Sequence, residues 1–377
     1  MSKAKVMEKK IYTALGLMSG TSLDGVDVAV IETDGEEVFA FGQSGCLDFD
    51  EEIVALKLAV KAALEWKFSG PPPNSLQAGS EFTDAKHIQA IEELFQEHTG
   101  LKEDVDVIGY HGQTVYHLPP QGGVKGQTLQ LGSGQSLAAN FGIPCVYDFR
   151  SDDVRAGGQG APLAPIYHQA LCRYSNLFGR VAVVNIGGVS NVTLVDGEKP
   201  LIATDCGPGN GPLNSWMELK GVGSYDKDGR LSWAGDVDLD RVNRWLERDF
   251  FKRPIPRSAD RYDFDVLPDM RDMSIENGAA TLASFCAHAI ARDMKKYNPE
   301  TIVVCGGGRH NPAIMGMLDM HTNGKVLKAE DVGWDGDALE AQAFAYLAVR
   351  KLRDLPISFP GTTGVAMPMT GGVIVKP

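Results

Sequence analysis

Two kinds of apolar spacing alternate along the chain. Residues 11 to 18, IYTALGLM, and 26 to 33, VDVAVIET, are short apolar runs. Each predicts a strand, and the seven mostly small and polar residues between them predict a β-hairpin. Residues 51 to 66 instead carry Ile53, Leu56, Val60, Ala63 and Leu64 at helical spacing. GPPPNSLQAG breaks that helix, and residues 84 to 100 predict a second one closed by Gly100. VDVIGY, 105 to 110, predicts a short buried strand with HGQT at its end. Residues 127 to 132 and 143 to 149 predict further strands.

The pattern restarts near residue 180. RVAVVNIGGVSNVTLV reads as strand, glycine-rich turn, strand, and PLIATDCGPGN as a strand ending on Asp205. Helices are expected at 210 to 219, 237 to 250 and 277 to 296. TIVVCGGGRHNPAIMGML reads as strand, triple-glycine turn, helix capped by Asn311, and residues 337 to 352 as a late helix with an apolar face. The Gly- and Pro-rich tail predicts irregular structure with a short strand. Two units, each led by a hairpin with a small-residue turn, predict an α/β protein of two facing lobes. The length of 377 residues agrees, because it exceeds what one core usually supports.

Composition narrows the function. The net charge is −13 and no run of Lys or Arg stands out, which disfavours a nucleic-acid or anionic-membrane surface. The charged N-terminus does not read as a signal peptide, and no apolar run is long enough to span a bilayer. The six cysteines are scattered without a C-x-x-C pair, which reads as cytosolic thiols and argues against a structural zinc site.

The first turn gathers Ser19, Gly20, Thr21, Ser22, Asp24 and Gly25. Consecutive turn N–H groups and hydroxyls make a concavity for an anion, and Asp24 or Asp27 can orient a metal-bound water. The same residues also suit a long hairpin loop with local hydrogen bonds. Gly187, Gly188, Ser190 and Asn191 repeat the theme in the second turn. Asp205, beside Gly207 and Gly209, is placed either for general-base work at a strand's carboxyl end or to cap the helix near 210. Gly306, Gly307 and Gly308 leave room for a flat base or ribose. His111, Gln113, Arg150, Asp152, Asp153, Arg155 and Gln159 form a polar set suited to a sugar bearing an acid group, although His111 also suits a satisfied core position. YDKDG, 225 to 229, is a surface turn or a lobe-closing contact. No Walker-type phosphate loop and no zinc-protease motif are present.

Taken in order, GLMSGTSLDGVDVAV, HGQT, DFR, GGQGAPL, NIGGVSN, DCGPGN, YDKDG and CGGG resemble the anhydro-N-acetylmuramic acid kinases. That resemblance implies two RNase-H-like lobes of the acetate and sugar kinase, heat-shock ATPase and actin group around a nucleotide cleft. It divides the chain into a first lobe, residues 1–150 plus about 355–377, and a second lobe, 151–354. It implies a cytoplasmic homodimer that uses ATP and Mg²⁺, hydrolytically opens the anhydro ring, and phosphorylates O6. Asp205 would be the catalytic base. Gly20, Thr21, Ser22, Leu23, Asp24, Gly25, Val26 and Asp27 would cradle the phosphates, with Asp24 and Asp27 toward the metal. Gly187, Gly188, Ser190 and Gly306 to Gly308 would complete the nucleotide site, and His111, Gln113 and Arg150 would contact the sugar. The rival readings are an actin- or heat-shock-type ATPase whose output is a conformational change, and a sugar- or nucleotide-binding protein without catalysis.

Overall fold

The computed structural model describes residues 10–20, 23–49, 53–120, 123–259 and 261–377. Its first sheet is built from β1 (Tyr12–Ser19), β2 (Gly25–Thr33), β3 (Val38–Asp48), β4 (Val107–Leu118), β5 (Gln127–Leu131) and β6 (Cys145–Tyr147). The second holds β7 (Arg180–Ile186), β8 (Val189–Asp196), β9 (Ile202–Pro208), β10 (Thr301–Cys305) and β11 (Lys325–Lys328). The last strand, β12 (Val373–Val375), returns to the first sheet beside β6.

The two sheets share one plan. β1, β2 and β3 form an antiparallel meander, and β4 then β6 add in parallel on the other side of β1. β7, β8 and β9 repeat the meander, and β10 then β11 add in parallel to β7. Parallel addition requires crossover connections, which the helices supply.

The first half carries α1 (Val54–Trp66), α2 (Asn74–Glu97), α3 (Leu101–Asp104), α4 (Gly134–Phe141) and α5 (Ser151–Arg155). α6 (Pro165–Tyr174) links the halves. The second contributes α7 (Gly211–Lys220), α8 (Arg230–Ala234), α9 (Leu239–Trp245), α10 (Ile275–Met294), α11 (Pro312–His321) and α12 (Leu339–Leu352). Three apolar layers result. Ile91, Leu94, Leu137 and Phe141 cover the outer face of the first sheet. Trp216, Phe285, Ile290 and Ile314 cover the outer face of the second. Between the sheets, Tyr167 and Leu171 of α6 and the length of α12 pack against Ala14, Val107 and Val146 on one side and Val183 and Val303 on the other.

α12 is buried from Leu339 through Arg350 apart from Glu340, which fits a helix apolar nearly all round. Its alanines let it approach β1 and β4 at backbone distance. A Cβ on Gly16 would collide with the carbonyl oxygen of Ala341, and one on Gly109 with that of Phe344. The reading from sequence counted this helix with the second lobe; its contacts lie mainly with β1, β2 and β4 of the first sheet. Two other expectations change. β4 continues through HGQT because β5 pairs antiparallel with it from Gln113 to Leu118. The second helix begins at Asn74, inside the expected break, and Gly100 caps the start of α3. Among the described residues no helix is long and apolar enough to cross a membrane.

His87 of α2 is fully buried against Tyr110, and its Nε2 has no partner. Burial lowers its pKa to about 4. An unfolded histidine takes up a proton near pH 6.5, whereas the folded one stays neutral until about pH 4. His87 therefore contributes stability that is complete above pH 6.5 and lost as the pH falls toward 4. His87→Gln is expected to flatten the fall in urea-unfolding free energy over that window.

Candidate active site

The β8–β9 ladder shifts register at one point: Ser190 faces Gly207, but Asn191 faces Asp205. Such a bulge re-aims neighbouring side chains. Asp205 lies within β9 rather than at its end, because the strand runs on to Pro208. Cys206 beside it turns into the outer core, and Asp205 turns inward. Asp205 lines a cavity of about 100 Å³ with Arg150, His168, Asn185, Asn191, Glu340 and Phe344. These residues come from both halves of the chain.

Asp205 is 8% exposed and its Oδ2 accepts the Ala259 N–H at 2.7 Å. Burial raises its pKa to about 7, against the lowering effects of that hydrogen bond and of Arg150 and Arg257. A carboxylate so placed is poised to take a proton near neutrality. It does not cap α7; the N-cap position of that helix is Asn210, whose side chain makes no capping bond either.

Arg150 donates from Nε to His111 Nε2 at 3.0 Å and from Nη1 to Gly160 O at 2.7 Å. His111 Nδ1 lies 2.7 Å from Gly112 O. The two contacts fix a neutral imidazole protonated at Nδ1, and burial together with Arg150 holds its pKa well below the usual range. Arg150 reaches the cavity wall, whereas His111 orients Arg150 from behind. Gln113 departs from its expected sugar contact. It is fully buried, accepts from Ser19 Oγ, and donates to Gly20 O at 3.0 Å. It ties β4 to the end of β1, where the first turn begins.

Around the glycine turns, Gly209 N–H and Gly211 N–H bond Gly188 O at 3.1 Å, and Asn210 N–H bonds Gly187 O at 2.7 Å. Gly306 and Gly308 pack against Asn185 and Ile186 at the end of β7. The three glycine-rich pieces of the second half thus converge. A Cβ on Gly188 would meet nothing within 4 Å, and one on Gly307 only Asn210 Nδ2 at 3.6 Å. No packing demand explains glycine there, and the space suits close approach of a ligand to backbone. Ser190 differs from its expected role: it is buried and its Oγ donates to Gly207 O at 3.2 Å.

In the first turn, Thr21 and Ser22 lie outside the described residues. Leu23 has a positive φ of 59°, Gly25 and Val26 are buried, and Asp24 is exposed. Burial pushes Asp27 up to about 7, opposed by a hydrogen bond with Cys46 and reinforced by the charges of Glu340, Asp24 and Asp337. Glu340 accepts from Asn185 Nδ2 of β7 at 3.3 Å, and its charge also reaches Asp27 of β2. Among the described residues, no three His, Cys, Asp or Glu side chains converge tightly enough to hold a metal alone.

Sequence reasoning missed Glu340, Asn185 and His168. Glu340 stands in the first turn of an apolar helix, where an acid reads as ordinary complement to the helix dipole. In YDKDG, Lys227–Gly229 form a single 3-10 turn, and Asp226 accepts from Leu231 N–H, Ser232 N–H and Ser232 Oγ, opening α8. From the GGQGAPL stretch, Gln159 Oε1 accepts from Ser258 Oγ at 3.1 Å, next to Ala259.

Comparison with known proteins adds the lineage. The profile described as anhydro-N-acetylmuramic acid kinase matches residues 12–377. Proteins named anhydro-N-acetylmuramic acid kinase align at 46% identity in Mesorhizobium japonicum, over 95% of this chain and 98% of the relative. The Phenylobacterium zucineum relative is 47% identical over 96% and 99%, and the Rhizobium rhizogenes relative 46% over 96% and 99%. With identity of this order across nearly its whole length, the chain belongs to the anhydro-N-acetylmuramic acid kinase family.

Proposed function

We propose that this protein is an ATP-dependent kinase that opens the 1,6-anhydro ring of anhydro-N-acetylmuramic acid with water and phosphorylates O6. The product is N-acetylmuramic acid 6-phosphate, an intermediate suited to peptidoglycan recycling. The observation that carries this reading is Asp205 itself: a buried carboxylate, with one oxygen already bonded, in a cavity it shares with Arg150, Asn191 and Glu340.

In the reaction, water attacks C1 of the sugar and gives one proton to Asp205. The C1–O6 bond breaks, and O6 takes the γ-phosphoryl group as ADP leaves. Arg150 orients the sugar's polar groups, backed by His111. Gly187, Gly188 and Gly306 to Gly308 receive the nucleotide, and residues 20–27 the phosphates.

The carboxylates near Asp27 fit Mg²⁺. The charges of Glu340 and Asp24 push Asp27 up, Arg150 is the cation that offsets Glu340, and the lack of a tight ligand cluster among the described residues suits an ion that keeps its waters. Asp24 and Asp27 would hold it through those waters. When bound, the ion offsets charge on the transferring phosphoryl group. The cavity is small for an amino sugar, so the halves part to admit it and close to exclude stray water. All six cysteines are free, which suits the cytoplasm. The homodimer implied by the resemblance belongs to the same proposal and is checked by sedimentation.

The test is ADP release with anhydro-N-acetylmuramic acid, with N-acetylmuramic acid, and with no sugar. Turnover with the anhydro sugar alone supports the reading; equal release without sugar would move the protein to the ATPase class. In the same assay, Gln113→Leu is expected to raise KM for ATP about tenfold while KM for the sugar changes little, because the residue anchors the first turn.

A further inference from the structure

The chain builds a support behind Asp205 from a segment that lines no part of the cavity. Residues 257–259 run beside β9. Asp205 N–H donates to Arg257 O at 3.0 Å, and Thr204 Oγ1 accepts Arg257 N–H at 3.2 Å. Ala259 N–H then reaches Asp205 Oδ2. With Oδ2 engaged, Oδ1 is the oxygen available for a proton.

Arg257 anchors this segment. Its guanidinium pairs with Asp293 of α10, donates from Nη1 to Arg253 O at 3.2 Å, and lies 4.6 Å above the Phe250 ring. The paired side chains are 6% and 7% exposed. A buried ion pair gives a strut no stability that apolar residues of equal volume would lack. It does supply a fixed charge close to Asp205.

Resting on the reading of Asp205 as the base, we infer that Arg257, held by Asp293, is a positioning residue. It aims the Asp205 carboxylate and sets the electric field at it. The charged groups facing Asp205 are Arg150, Arg257 and Asp263, with neutral His168 across the cavity. Those facing Asp293 are Arg257, Arg292 and Lys296, with the Cys206 thiol nearby.

The signs follow. Asp293→Asn leaves the Arg257 charge uncompensated, favours the Asp205 carboxylate, and moves the acidic limb of kcat/KM for the sugar down by about 0.5 pH. Arg257→Gln removes the attraction and moves that limb up by about 0.5 pH. Arg257→Lys keeps the charge, so the limb stays in place while kcat falls, because lysine lacks the planar fork. KM for ATP is unchanged in all three.

The experiment is the pH profile of ADP release for these variants, the wild type and Asp205→Asn, with folding checked by circular dichroism. Opposite displacements in Asp293→Asn and Arg257→Gln support the inference. Limbs that stay at the wild-type position, or move the same way, overturn it and leave a mechanical strut. If Arg257→Gln does not fold, Asp293→Asn against Arg257→Lys decides: a lower limb only in the former supports the inference, and coincident limbs overturn it. Wild-type turnover in Asp205→Asn would instead sink the reading of Asp205 beneath it.

Discussion

Asp205→Asn is expected to lower kcat for the anhydro sugar about a thousandfold, in the range that general-base catalysis contributes. Asparagine has nearly the same shape, and its side-chain oxygen can still accept the Ala259 N–H. What it loses is the ability to take a proton from water. KM values should change little. With Asp205 as the proposed base, the carboxylate is the active form, so kcat/KM should fall tenfold per pH unit below about 7. Stability should move the other way. A folded pKa of about 7 against an unfolded value near 4 means that the native state favours the protonated acid. Its contribution is complete below pH 4 and lost as the pH rises through 7. At pH 8 the buried carboxylate costs a few kcal/mol, and Asn removes that cost. The variant should therefore melt no lower than the wild type at pH 8. A large loss of both activity and stability would mean that Asp205 holds the fold rather than the chemistry.

The second large effect is structural. Gly16→Ala is expected to destabilise the protein by about 3 kcal/mol or more, since the new methyl group meets the backbone of α12 rather than a movable side chain. Gly109→Ala should act alike, one strand over. Gly188→Ala is the contrast, because its Cβ enters open space. Its unfolding free energy in urea should stay within about 0.5 kcal/mol of wild type, while KM for ATP rises about tenfold if a phosphate must approach that backbone. Equal stability in Gly16→Ala would contradict the packing described for α12.

Much of this arrangement was legible in the chain. The two hairpins stand out because an apolar run, a turn of small residues and a second apolar run are local features. Asp205 stands out because a lone acid ends an apolar run before four turn-forming residues. The middle layer was not legible. α12 reads as a helix, but its sheet is chosen by Gly16 and Gly109, more than two hundred residues away. β3 and β11 were missed, since edge strands carry weak apolar patterns and their residues are largely exposed. Gln113 and Ser190 carry the right chemistry for ligands, yet both satisfy buried backbone or side-chain partners. Residue type alone cannot separate those uses, because a buried amide or hydroxyl must find a partner in either case.

The measurement that bears most directly on the central claim is the mass of the sugar phosphate formed from anhydro-N-acetylmuramic acid in ¹⁸O-labelled water. Ring opening by water, with Asp205 as base, places one heavy oxygen at C1 of each product molecule in the same turnover that releases ADP. A phosphorylated product without the label, or ADP released at the same rate without any sugar, would contradict the account.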